Sequence, residues 1–234
     1  YFQSLSASTG RVQLFDIGRT TEGRTQFLAV ISSEENLNQL EHYKNISRSL
    51  ALNRNVSGNP LGKEEARNLA REGKAIIWIN FGLHSTEVAN VQSAPWLAWK
   101  IAAGESLEIK KIREDVIFVL IPDMNPDGTT MIANWYNSNM GTPWETRLPW
   151  PYQRYAGHDN NRDWFMFTQL ETRNIARQLY KEFLPQIVYD HHQAPPFPAR
   201  IFIPPFAEPS NDHIPTLVIE GVDKIGQAIK HRLA

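Results

Sequence analysis

The chain has 234 residues, 41% of them hydrophobic and 21% charged, with a formal net charge of −1. That composition suits a globular chain long enough for one sizeable core, and so small a net charge gives no electrostatic case for nucleic acid as a partner. The absence of cysteine excludes disulfides, thiol nucleophiles and cysteine-ligated metals, so any metal must rest on His, Asp and Glu.

Tyr1-Phe2-Gln3-Ser4 reads as the remnant of a cleavable purification tag, set apart from a domain over residues 5–234. Val12 to Ile17 alternates and Thr25 to Ser32 is apolar; with Thr21-Glu22-Gly23-Arg24 between them, they predict a β-hairpin. Glu34 to Leu52 carries Leu37, Leu40, Tyr43, Ile46 and Leu50 at helical spacing, and Lys63 to Arg71 reads as a shorter helix. Ala75 to Phe81 is a continuous apolar run, as expected of a strand covered on both faces. Val88 to Ala103 has helical spacing, with Pro95 expected to kink the helix or mark its true start.

Asp115 to Ile121 is a second apolar strand, and Asn125-Pro126-Asp127-Gly128 is a strong turn signal. Met131 to Trp164 shows no sustained period and reads as a long aromatic-rich loop, equally able to wall a cleft or to pack. Thr168 to Leu184 is a clear helix ended by Pro185. Gln186 to Asp190 is a short strand, Arg200 to Ile203 a further one, and Asp212 to Leu233 a closing helix. The longest apolar run, Val116 to Pro122, has strand length, well short of the roughly 18 residues of a membrane span. Strands alternating with helices, several strands fully apolar, predict an α/β fold with helices on both faces of a central sheet. In such sheets ligands sit beyond the carboxyl ends of the strands.

His84-Ser85-Thr86-Glu87 follows the first apolar strand. On a helical turn positions i and i+3 share a face, so the imidazole and the carboxylate can converge on one ion. Alone, the four residues read first as a helix start, with Ser85 or Thr86 as N-cap and Glu87 in the first turn. A histidine from His191-His192, also just after a strand, would complete a His₂Glu set with a fourth position open to water, an arrangement zinc accepts.

At this point an ordered series of motifs resembles the zinc carboxypeptidase family of the carboxypeptidase A type. His84-Ser85-Thr86-Glu87 matches its H-x-x-E pair, Asn125-Pro126-Asp127-Gly128 its N-P-D-G turn, 157–164 its G-x-D-x-N-R-N-W segment, and Asp190-His191-His192 its D-x-H. Thr21-Glu22-Gly23-Arg24 resembles a turn near the family's start. The resemblance implies a mixed, mostly buried central sheet and a zinc ion held by His84, Glu87 and His192, with His191 as a packing neighbour. It implies that Asn161 and Arg162 grip a substrate's terminal carboxylate, that Asp159 orients a ligating imidazole, and that an arginine after the N-P-D-G turn polarises the scissile carbonyl. Arg147 is the candidate for that last role, with Arg154 as competitor.

The activity implied is release of C-terminal residues from a peptide or protein with a free C-terminus, in a secreted or periplasmic setting. An amidase or deacylase on the same scaffold and a non-catalytic zinc-binding module are the alternatives. Asp163 stands where the family has asparagine, and Gln193 where serine and tyrosine are common, which is expected to alter the rim of the carboxylate site. The family's general-base glutamate lies well downstream of the third ligand. Glu220 sits in the closing helix and is not accepted as that base, so the chain is expected to be incomplete at its C-terminus, binding zinc but hydrolysing peptides poorly.

Overall fold

The computed structural model describes residues 1–194, 197, 202–207 and 210–233. Two units divide the chain, Tyr1–His192 and Gln193–Ala234. The first opens with α1 (Phe2–Ser8), then the hairpin β1 (Val12–Arg19) and β2 (Thr25–Ile31), α2 (Glu34–Asn38), α3 (Leu40–Leu52) and α4 (Lys63–Glu72). There follow β3 (Ala75–Asn80), α5 (Val88–Ala103), α6 (Leu107–Asp115), β4 (Val116–Ile121), α7 (Pro126–Asn139), α8 (Leu170–Arg177) and β5 (Ile187–Asp190). The second unit holds α9 (Thr216–Leu233), which carries an exposed Glu220. The strand expected over 200–203 begins at positions outside the described residues. Among the described residues no helix is long and apolar enough to cross a membrane.

The sheet runs β1-β2-β4-β3-β5. It is mixed: β1 pairs β2 and β2 pairs β4 antiparallel, whereas β3 runs parallel to both β4 and β5. Because side chains alternate along a strand, the apolar runs serve two cores. Ile76, Trp78, Ile117 and Val119 pack with Leu40 and Ile46 of α3 and Ile175 of α8. Ile79 and Leu120 pack on the opposite face with Ala94, Ala98 and Ile101 of α5. Burial on both faces is why these strands lack polar alternation. Phe2 and Leu5 of α1 pack against the second core.

Several elements differ from what local pattern predicts. The helix expected over 34–52 breaks at Gln39, where φ is −112° and ψ 20°. Asn36 accounts for the break, because its buried amide donates to Ser32 Oγ and to the carbonyls of Arg113 and Glu114, tying α2 to the end of α6. Pro95 neither starts nor divides α5, which is continuous through it and held on both sides by buried Ala94 and Ala98. The N-P-D-G segment is the beginning of α7. Asn125 is its N-cap, accepting from Gly128 N at 3.0 Å, and Pro126 takes the first helical position, where its missing N–H costs nothing. The last turns of the expected 168–184 helix widen to π geometry over Gln178–Phe183 and stop at Leu184 in the left-handed region.

Two of the motifs meet each other. Asp127, 2% exposed, accepts from Thr20 Oγ1 at 2.7 Å, Glu22 N at 2.9 Å, Arg24 Nη1 at 2.7 Å and Tyr155 Oη at 3.0 Å. The N-P-D-G aspartate is thus the knot that ties the β1–β2 turn to the start of α7.

Candidate metal centre

β3 and β5 are parallel neighbours with Asn80 opposite Asp190, so the chain leaves both at the same sheet edge. After β3, Gly82 turns the backbone at φ +74°, where a Cβ would meet Val91 Cγ2 at 2.5 Å; only glycine takes that geometry without strain. The turn delivers His84 and Glu87 to the mouth of the sheet, and two residues past β5 the chain delivers His192.

Glu87 occupies the N-cap position of α5 without a capping bond from its side chain. Ser85 does not cap the helix either, because its hydroxyl donates to the Tyr152 carbonyl at 2.8 Å. The Glu87 carboxylate instead lies 2.8 Å from His84 Nδ1 and 3.3 Å from His192 Nδ1, and accepts from Asn90 Nδ2 at 3.0 Å. One ligand atom from each of His84, Glu87 and His192 lies within 4.8 Å of the other two.

Behind each imidazole stands a second carboxylate. His84 Nε2 is 3.0 Å from Asp159 Oδ1, and His192 Nε2 is 3.1 Å from Asp190 Oδ2. Such backing favours the proton on Nε2 and leaves the Nδ1 lone pair facing the shared centre. Burial would raise Asp159, but the Asn161 N–H, the His84 hydrogen bond and the Arg162 charge outweigh it and hold the acid below the usual carboxylate range. Hydrogen bonds to Asp190 and Glu87 push His192 up to about 10 against the effect of burial. The donor set fits zinc: two imidazole nitrogens and a carboxylate oxygen are ligands it takes. Asp190 Oδ1, buried with no hydrogen-bond partner among the described residues, adds negative charge that a dication would balance.

The other expected site residues fall as follows. His191 turns away from the centre towards Phe81 and Tyr189, and burial followed by the charge of His192 lowers it. Asn161 and Arg162 form a 3₁₀ turn begun by Asp159, whose side chain accepts from Asn161 N at 2.8 Å; the Arg162 guanidinium is exposed. Arg147 is exposed with its guanidinium 5.2 Å from the centre of the Trp144 ring, and Arg154 is also exposed. Asp163 is not on the rim. It is fully buried and accepts from the N–H groups of Thr168 and Gln169, because the chain reverses there before α8.

Two residues without an assigned role in the sequence belong to the centre. Asp190 was legible in principle, since positions i and i+2 of a strand share a face. Tyr152 carries no such signal; its ring stacks on His84 at 4.2 Å between centroids and 15° between planes. Burial, reinforced by the charges of Asp159 and Glu87, raises its phenol and keeps it neutral. The aromatic loop here lines a cleft of about 460 Å³, bounded by Thr86, Trp150, Tyr152, His158 and Asp159.

A sequence model of zinc carboxypeptidases matches residues 1–185, a span that contains His84 and Glu87 and ends before His192. Carboxypeptidase A4 of Mus musculus is 34% identical over 91 residues, which is 38% of this chain and 20% of the mouse protein. Carboxypeptidase 2 of Trichophyton rubrum is 28% identical over 120 residues, 51% of this chain and 19% of the fungal one. The aligned stretch is thus about a fifth of the length of these relatives. In fold, the chain is similar to a metallo-carboxypeptidase from Pseudomonas aeruginosa, with a TM-score of 0.52 at 15% identity over 82% of this chain and 38% of that one.

Proposed function

The chain belongs to the zinc carboxypeptidase family, and from that membership we propose that His84, Glu87 and His192 hold one zinc ion in a protein that releases C-terminal residues from peptides. The observation that carries this reading is the convergence of the three ligand atoms within 4.8 Å, each imidazole backed by its own carboxylate. Zinc bound there supplies Lewis acidity towards a carbonyl and lowers the pKa of water in its open position to about 7.

The chain's own residues contribute binding and orientation. Asp159 and Asp190 hold the two imidazoles in the tautomer that presents Nδ1. Asn161 and Arg162 bind the substrate's terminal carboxylate, for which the planar fork of arginine offers two parallel donors. Arg147 is the candidate for stabilising the oxyanion, which requires its loop to bring the guanidinium inward from Trp144. Glu87, Asp159 and Asp190 each face an imidazole, so we assign the general base to none of them.

Metal analysis of the purified chain tests the reading. One zinc per chain is expected, with loss of zinc in both His84→Ala and His192→Ala; stoichiometric zinc in both variants would refute the assignment. For the whole protein, peptides with a free C-terminus should be cleaved and their C-terminally amidated counterparts should resist.

A further inference from the structure

The centre holds His84 from three directions. Glu87 lies 2.8 Å from Nδ1 and Asp159 3.0 Å from Nε2. One ring face carries the parallel Tyr152 ring at 4.2 Å, while the His192 ring stands 4.8 Å away at 55°. Carboxylates at the two nitrogens restrain rotation within the plane only weakly against tilting out of it, since a hydrogen bond tolerates tens of degrees of bend. A stacked aromatic face resists that tilt directly.

The seat of Tyr152 is itself built from the two motifs that begin α5 and α7. Its carbonyl accepts from Ser85 Oγ at 2.8 Å and from Asn125 Nδ2 at 2.9 Å. The same oxygen lies 2.0 Å from where a Cβ on Gly128 would stand, so the fit exists only because residue 128 has no side chain. Ser85, between the two motif ligands, and Asn125 and Gly128, in the N-P-D-G segment, therefore all act on one peptide group of the aromatic loop. Thr86 and Tyr152 then line the same cleft beside the centre.

We infer that Tyr152 is a positioning residue of the metal centre: the Ser85, Asn125 and Gly128 clamp fixes its backbone, and from there its ring stacks on His84 so that the imidazole is preset for the ion. The inference rests on the metal reading above. What the position requires is a flat ring rather than a hydroxyl, so phenylalanine should serve and an aliphatic side chain of similar bulk should not.

The test compares the wild-type chain with Tyr152→Phe, Tyr152→Leu and Ser85→Ala, each stripped of metal and titrated with zinc against a chromophoric chelator. The visible absorption band of bound Co²⁺ reports geometry, and the melting temperature of the metal-free protein controls for folding. Tyr152→Phe should bind zinc within about twofold of wild type with the same cobalt band. Tyr152→Leu should weaken zinc about tenfold, at the lower end for groups that orient metal ligands, and shift the band. Ser85→Ala, which keeps the ring but removes one donor to its carbonyl, should weaken zinc about threefold, and it decides the matter if Tyr152→Leu melts early. Zinc affinities within twofold of wild type for both Tyr152→Leu and Ser85→Ala, with unchanged cobalt bands, would overturn the inference and leave the metal centre standing. Failure of the wild-type chain to bind zinc would overturn both.

Discussion

Replacing Asp127 by alanine removes one acceptor from four donors. Two of them keep another partner: Arg24 retains Glu22 at 2.7 Å, and Tyr155 retains Glu171 at 2.7 Å. Among the described residues, the Thr20 hydroxyl and the Glu22 N–H donate to Asp127 alone. Leaving a buried donor unsatisfied costs about 1–3 kcal/mol, and the ion pair with Arg24, which is more than a third exposed, adds little because solvent screens it. The expected loss is about 2–5 kcal/mol, a large share of the 5–15 kcal/mol that holds a typical domain together. Urea unfolding followed by tryptophan fluorescence should show the midpoint falling at unchanged slope. At about 2–4 °C per kcal/mol for a chain of this size, the melting temperature should fall by about 4–20 °C. Zinc stoichiometry should survive, because Asp127 touches none of the ligands. A loss under about 0.5 kcal/mol would refute the view that this motif aspartate is a structural knot, as would loss of zinc from a variant that is otherwise as stable as wild type.

Three further expectations concern the surroundings of the centre. Asp159→Asn and Asp190→Asn should each weaken zinc about 10–100-fold in a chelator competition; affinities within twofold of wild type would show that the backing carboxylates do not orient the imidazoles. Gly128→Ala should destabilise the chain by about 1–3 kcal/mol through overpacking against the Tyr152 carbonyl, while Gly157→Ala, with nothing within 4 Å of the new methyl, should be near neutral in the same melt, and equal effects would refute the close-approach argument. Burial pushes Asp123 up to about 7 despite donation from Thr129 Oγ1 and Asn125 N. The folded state therefore holds this proton after the unfolded chain has released it at about 3.9, so stability falls as pH rises between about 4 and 7, by at most about 1.4 kcal/mol per unit, and levels off above. Asp123→Asn should remove that component from the pH dependence of unfolding, and an identical pH profile in the variant would rule it out.

Local pattern determined much of this protein. Apolar runs at 75–81 and 116–121 mark strands buried on both faces because neither neighbouring layer leaves room for polar residues. His84 and Glu87 are legible as a pair because three residues of chain suffice to bring them together. Local pattern misread the segment at Asn125, since an asparagine followed by proline starts a helix as readily as a turn, and it gave no hint of α6, which is short and largely charged. It also placed Asp163 on a rim, although the chain reversal before α8 turns that carboxylate inward onto two N–H groups.

What only the tertiary structure decided is which distant groups share the mouth of the sheet. His192 reaches Glu87 because β5 lies beside β3 in parallel register, a pairing between strands separated by all of α5 to α8. Tyr152 reaches His84 because its carbonyl docks where Gly128 lacks a side chain. Neither contact has a period or a spacing along the chain. Each follows from the order of strands and the shape of a gap, quantities that exist only once the helices have packed against both faces of the sheet.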